Sequence, residues 1–402
     1  MPGICLYFQL HQPLRLRRYS IFDSGSEYFD ESRNREVVRK VAESSYLPTN
    51  RAILELIRRH DGQFRVAYAI SGVALEQCEQ HAPEVIESFQ QLSKTGCVEF
   101  LAETYCHSLS FLYSRDEFAE QVRLHGEKIW KLFRQRPTIF CNTELIYNND
   151  VAQVVDTMGY RAIVADGSRH ALGHRSPNFV YSPPGSPSLA LLLRNQPLSD
   201  DVSLRFGYRG WSEWPLTANK FADWLVGGNG NGHVINLFMD YETFGSRQQT
   251  ETGIFEFLNE LPKELLKRPD TSFLLPSEAI EKYPVSGEYD VPHMSSWANG
   301  EPHLSAWLGN AMQSSALHEL YRLEREVKST ADSQLLRDWR RLQPSDHFSY
   351  MCTMASAENN VRRQLNPYDS PYDSYINYMN VLDNLRSRVG IQLRGRPQKM
   401  RS

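Results

Sequence analysis

The first 240 residues alternate short apolar, β-prone runs with longer stretches of helical spacing, and this alternation limits the fold more than any other feature of the 402-residue chain. Repeated strand–helix units build a parallel sheet, because the path between parallel strands must cross a face of that sheet. Residues 4–10, 64–70, 98–102, 137–143, 161–165, 189–194 and 233–239 read as strands. Residues 50–59, 83–92, 115–133 and 150–158 read as helices. The first opens on an Asn, the second has Pro early, and the last stops at Gly159. Seven strands, with room for an eighth, suit a barrel better than an open sheet. After Asp240 the pattern turns helical, over 253–261, 304–327, 332–341 and 372–388. The Gly-, Pro- and Ser-rich stretch 283–301 reads as a connection across the barrel mouth, and the boundary is set at 290. Residues 1–290 form the barrel in this reading, and 291–402 a helical domain that packs on it and contributes to its cleft.

Charged residues at 23% and hydrophobic ones at 41% allow a sizeable core. A net charge of −4 gives no basic excess that would point to nucleic acid or an acidic membrane surface. No apolar run approaches a membrane span. The N-terminus, MPGICLYFQLHQPLRLRR, places its apolar stretch before its basic one, the reverse of a signal peptide. A cytoplasmic location is therefore expected. The six cysteines form no CxxC pair and read as free, buried thiols. The terminal LRGRPQKMRS reads as a solvated end.

In a parallel barrel, function collects where strands run out into loops. The first strand runs into Gln9, His11, Gln12 and Pro13. The third carries Glu99 and Glu103, with His107 beyond; the fourth ends at Asn142, Thr143 and Glu144. The fifth ends at Asp166, and the last at Asp240, Tyr241 and Glu242. Any one of these carboxylates is readily explained by pairing with one of the 44 Lys and Arg. A set of them at several strand ends is harder to explain that way, since burying unpaired carboxylates costs stability. Glycoside cleavage needs such a set: one carboxyl donates a proton to the leaving oxygen, and another attacks the anomeric carbon or activates water. Asp240, two residues from Glu242, suits a donor held near like charge; Glu144, among polar neighbours, suits an ionised group.

At these residues the chain resembles the α-amylase branch of glycoside hydrolase family 57. LYFQLHQPLRL, GCVEFLAETYCHSL, TIFCNTELIYNNDVAQVVDTMGY, NLFMDYETFG with ETGIFEFL, and SSWANGEPHLSAWLGNAMQ resemble the family's five regions, in order. LQPSDHFSYM and NPYDSPYDSYINYMNVL also look like this branch. The resemblance implies an incomplete (β/α)7 barrel followed by a C-terminal helical bundle. It implies a retaining mechanism with a covalent glycosyl-enzyme, Glu144 as nucleophile and Asp240 as acid/base. It implies no metal and no cofactor. Glu99, Glu103, Asp166 and Glu242 become expected sugar or supporting contacts, and His11 and Gln12 expected hydroxyl-binding groups. Trp297 and Trp307 are candidate stacking aromatics, with packing an equal alternative.

Two positions depart from the pattern. FGSRQ stands where FGEHQ is usual, placing Ser246 and Arg247 there, and His303 replaces an acidic residue before LSAW. Both changes remove negative charge, leaving open an altered substrate choice, a raised pH optimum or reduced activity.

The expected substrate is an α-1,4-glucan or maltooligosaccharide: glycogen, starch or maltodextrin. Alternatives are a 4-α-glucanotransferase or branching enzyme, a weakly active glucan-binding homologue, and a metal-dependent hydrolase using His11, His107 or the HxxxH of His170 and His174. Protein partners are not legible.

Overall fold

The computed structural model describes residues 2–227, 231–268, 271–298, 304–354 and 366–395. Residues 396–402 of the terminal stretch expected to be solvated, and His303, lie outside the described residues. The chain divides into two compact units. The first comprises Met1–Gln12, Arg35–Thr104 and Val122–His303; the second comprises Pro13–Asn34, Tyr105–Gln121 and Leu304–Ser402. A single cut at 290 does not capture this, because two early segments belong with the C-terminal helices.

Among the described residues unit one holds ten strands. They are β1 (Gly3–Leu10), β2 (Val66–Ile70), β3 (Val98–Phe100), β4 (Ile139–Cys141), β5 (Ala162–Asp166), β6 (Val180–Ser182), β7 (Ala190–Arg194), β8 (Val234–Asp240), β9 (Ser272–Phe273) and β10 (Val285–Glu288). Seven form a parallel ring in the order β1-β2-β3-β4-β5-β7-β8, with β8 returning to β1. The ring is weakest at two joins, each a single residue pair: Ala102 with Phe140, and Arg194 with Asn236. This is the (β/α)7 barrel that the strand count indicates. Short β6, β9 and β10 escaped the sequence reading; β6 lies antiparallel to β7, and β9 and β10 pair parallel with β1 and β6.

Apart from partly buried Glu99 and Asp240, the ring strands are buried on both faces, so side-chain parity decides what each residue faces. Ile4, Leu6, Phe8 and Leu10 of β1 join a core with the surrounding helices, such as Leu47–Arg59 and Pro83–Ser93. Cys5 and Tyr7 join a second core, inside the ring, with Ala67, Ala69, Leu101, Ile139, Cys141, Ala162, Val164, Ala190, Leu192, Val234 and Phe238. Small side chains dominate that list because the ring interior leaves little space. Continuing the inward parity toward the strand ends gives Gln9, Ser71, Glu103, Asp166, Arg194 and Asp240. The polar rim is the last inward layer of the barrel.

The opposite end is closed by the helix Pro276–Lys282. Its Glu278 and Glu281 pair with Arg65 and Arg161, the residues just before β2 and β5. Gly3 begins β1 there because a Cβ would lie 2.4 Å from Leu274 Cδ1.

Unit two contains the helices Ser305–Leu308, Ala311–Arg322, Glu324–Thr330, Ser333–Arg341, Ser345–Ser349 and Pro371–Arg394. The single helix expected over 304–327 is broken twice. At the first break Asn310 accepts from Gln313 N, and the Gln313 side chain returns to Asn310 N, a reciprocal cap that starts a new helix. Fully buried Glu117 is satisfied by Arg340 at 2.8 and 3.2 Å and by Lys328 at 2.9 Å. Among the described residues no helix is long and apolar enough to cross a membrane.

Candidate active site

Glu144 sits three residues beyond β4 in a backbone conformation that L-residues rarely adopt, with φ of 55° there and 51° at Leu145. Asn142 holds the turn: its Oδ1 accepts from Thr143 N at 3.0 Å and its Nδ2 donates to Ile146 O at 2.8 Å. Tyr147 and Ser295 then exchange backbone hydrogen bonds, tying the loop to the segment that carries Trp297. Trp297 Nε1 donates to Glu144 Oε2 at 2.7 Å. A strained backbone overdetermined by its surroundings is common at sites of chemistry.

The Trp297 ring is fixed on two sides. Phe238 meets it edge-on at 5.3 Å, and the Arg194 guanidinium lies 5.1 Å from its centroid. Arg194 is buried, donates to Phe238 O at 3.0 Å, and pairs with Asp200 at 2.5 Å and Asp166 at 3.5 Å. Burial pushes the Asp166 carboxyl up to about 6, against the pull of Arg194.

Asp240 ends β8 beside Gln9 of β1. Its carboxylate pairs with Arg247, which the following loop folds back onto it. Arg247 N donates to Glu242 O at 2.7 Å and Gln248 N to Thr243 O at 3.0 Å. Gly245 lets this loop pack: its φ is 89°, and a Cβ would fall 2.0 Å from Ser44 O. The departure in this loop therefore does more than delete the negative charge replaced by Ser246; through Arg247 it adds a positive one. It brings a cation into contact with Asp240.

Glu242 is held by Tyr46 Oη and by Gln12 Nε2 at 3.1 Å, both donating to Oε1. Burial, and then the charge of Asp240, push its carboxyl up to about 7. Glu242 and Asp166 thus bind protons more tightly folded than unfolded. Their contribution to stability is full below the unfolded values of 4.5 and 3.8 and is lost as pH rises through about 7 and about 6. Glu242→Gln is expected to flatten the fall of Tm between about pH 5 and about pH 7. Thermal melts across that range check it; an unchanged slope would contradict the raised proton affinity assigned to Glu242.

Exposure sorts the predicted sugar contacts. His11, Glu242 and Trp297 keep accessible surface, and His11 Nδ1 lies 2.7 Å from Ser71 Oγ. Gln12 is nearly buried, while Glu103 and Trp307 are 0% exposed and Asp166 is 3% exposed. Groups without accessible surface cannot touch a ligand here, so Glu103 and Asp166 support the rim rather than line it. Gln9 Nε2 donates to Glu103 Oε1 at 3.4 Å. Trp307 belongs to the buried interior of unit two.

Glu99 points elsewhere. It is four residues before Glu103 and so belongs to the opposite, lower layer. Its Oε2 accepts from Ser277 N and Oγ, both at 3.0 Å, at the start of the closing helix. Its reading as a sugar contact gives way to a structural one. Glu99→Ala is expected to cost roughly 1–3 kcal/mol of stability by stranding those donors, with KM for an α-glucan unchanged. A raised KM at unchanged Tm would return Glu99 to the substrate site.

Tyr46 and Arg194 were missed from sequence. Nothing around Tyr46 singles it out, since it reaches Glu242 from a π-helical turn, Ala42–Tyr46, remote in the chain. Arg194 was within reach, as the last residue of a strand whose other members are apolar. Among the described residues no group of three His, Cys, Asp or Glu is placed to hold a metal. The helix Arg169–Leu172 ends before Gly173, so His170 and His174 share no helix face.

The sequence profile of Glycosyl hydrolase family 57 matches residues 5–292. A Methanocaldococcus jannaschii protein named "Putative alpha-amylase" is 39% identical over 394 residues, covering 94% of this chain and 83% of that protein. A branching enzyme from Thermococcus kodakaraensis shares the fold with a TM-score of 0.69 at 15% identity, covering 96% of this chain and 90% of its own. A 4-alpha-glucanotransferase from Thermococcus litoralis gives 0.61 at 14% identity, covering 98% of this chain, which spans only 60% of that protein's length. With a matching profile over most of its length and that relative, the chain belongs to glycosyl hydrolase family 57.

Proposed function

We propose that the chain is a retaining α-glucan hydrolase of the α-amylase type, acting on α-1,4-linked glucans such as glycogen, starch or maltodextrin. Glu144 attacks the anomeric carbon while Asp240 protonates the departing glycosidic oxygen, leaving the sugar esterified to Glu144. Asp240, now a carboxylate, takes a proton from water as its oxygen attacks the same carbon. That attack expels Glu144 and restores the starting configuration.

One observation carries this reading. Two carboxyl groups end up on one rim in contrasting surroundings, Glu144 held by a neutral indole donor and Asp240 set between a cation and the acid Glu242. His11, Glu242 and Trp297 are the proposed sugar contacts. Gln12, Glu103, Asp166 and Arg194 are positioning groups behind them. A cytoplasmic setting is supported by six cysteines that are all free and buried.

Chromatography of products from maltoheptaose and glycogen tests the assignment. Short maltooligosaccharides with new reducing ends support a hydrolase. Products longer than the substrate move the reading to a transferase, and no products at high enzyme concentration move it to a binding protein.

A further inference from the structure

Between β7 and β8 the chain makes a compact aromatic loop over residues 205–217. Tyr208 N bonds to Arg205 O at 2.9 Å, Trp211 N to Tyr208 O at 3.0 Å and Trp214 N to Trp211 O at 3.0 Å. Three tight turns in succession thus place an aromatic at every third position. Tyr208 is 64% exposed and Trp214 42% exposed. Such side chains ordinarily favour burial, and leaving them in water forgoes hydrophobic stabilisation.

The loop is not loose. Phe206 and Leu216 bury its two ends in the core. Trp211 packs edge-on against Trp224 at 6.1 Å. Lys220 donates to Glu213 O at 2.7 Å and pairs with its carboxylate. Gly210 has no side chain where the Tyr208 ring folds over it, and a Cβ there would sit 2.8 Å from Tyr208 Oη. A charge lies beside the rings: the Arg209 guanidinium is 5.7 Å from the Trp214 centroid, and Glu213 precedes Trp214 in the chain.

The loop is also continuous with the catalytic rim. It follows the strand that ends in Arg194. Gln248 accepts from Gly207 N at 3.1 Å and donates to Ser203 O at 3.0 Å, next to the Arg247 that pairs with Asp240.

We infer that Tyr208 and Trp214, backed by Trp211, form a second glucan-stacking site that holds a stretch of chain away from the bond being cut. A glucan presents apolar C–H faces edged by hydroxyls, which fits exposed flat rings with the Arg209 guanidinium beside Trp214. Small, separated aromatic faces with charges between them match a narrow polar chain better than a protein surface, which favours a contiguous apolar patch. The inference rests on the α-glucan reading of the catalytic site.

The test is the Tyr208→Ala/Trp214→Ala double variant, with folding checked by Tm. Its kcat/KM on glycogen is expected to fall about tenfold through KM, while kcat/KM on 4-nitrophenyl α-maltotrioside stays unchanged. Retardation in glycogen-containing gels, which needs no turnover, should weaken in parallel. Unchanged glycogen kinetics and retardation would overturn the site, as would equal losses on both substrates. If the wild type turned over neither substrate but lost gel retardation in the double variant, the hydrolase reading alone would fail.

Discussion

Replacing Glu144 by Gln is expected to lower turnover of maltoheptaose at least about a thousandfold, with Tm and circular dichroism unchanged. Glutamine matches glutamate in volume and keeps an oxygen to accept from Trp297 Nε1. The left-handed backbone is no worse for it, and the turn is held by Asn142 rather than by residue 144. Only the negative charge that must attack carbon is lost. A variant that kept turnover within tenfold of wild type would show that the chemistry starts elsewhere.

Asp240→Asn should differ in kind. On maltooligosaccharides it is expected to lose roughly 10²–10⁴ in kcat, the usual range for a general acid–base. On α-maltosyl fluoride the first step should largely survive, because fluoride departs without a proton. The return step still needs a base, so the glycosyl-enzyme should accumulate, seen as a burst of fluoride followed by slow release. Arg247 loses its anionic partner in this variant, so Tm must be read beside the kinetics. Glu242 loses the like charge that helps hold its carboxyl up, and its titration should move down. Equal losses on the fluoride and on the oligosaccharide would deny Asp240 the acid role.

Much of this site was legible from strand ends alone. Glu144, Asp166, Asp240 and Glu242 lie at or just beyond the C-terminal ends of ring strands, where sequence reasoning put them. The helix over residues 115–133 has the extent its periodicity predicts. What failed was the direction of individual side chains. Glu99 lies on β3 and Glu103 just beyond its end with the same inward parity, yet four residues separate the floor of the barrel from its rim. Sequence spacing gives parity but not depth, and depth decides which carboxylate meets a ligand. Trp307 resembles a rim aromatic in composition, but only burial separates it from Trp297. The contact between Arg247 and Asp240 was beyond reach for another reason. It depends on a loop reversal made possible by Gly245 against Ser44 O, two positions remote in sequence. Short β6, β9 and β10 carry too few residues for periodicity to register.

Glycosylation of Glu144 is read out by mass spectrometry of the Asp240→Asn variant after brief exposure to α-maltosyl fluoride. A maltosyl adduct on the peptide containing Glu144, absent when Glu144→Gln is added, is the predicted result. An adduct on another carboxylate, or none while maltose is released with inverted configuration, would contradict it.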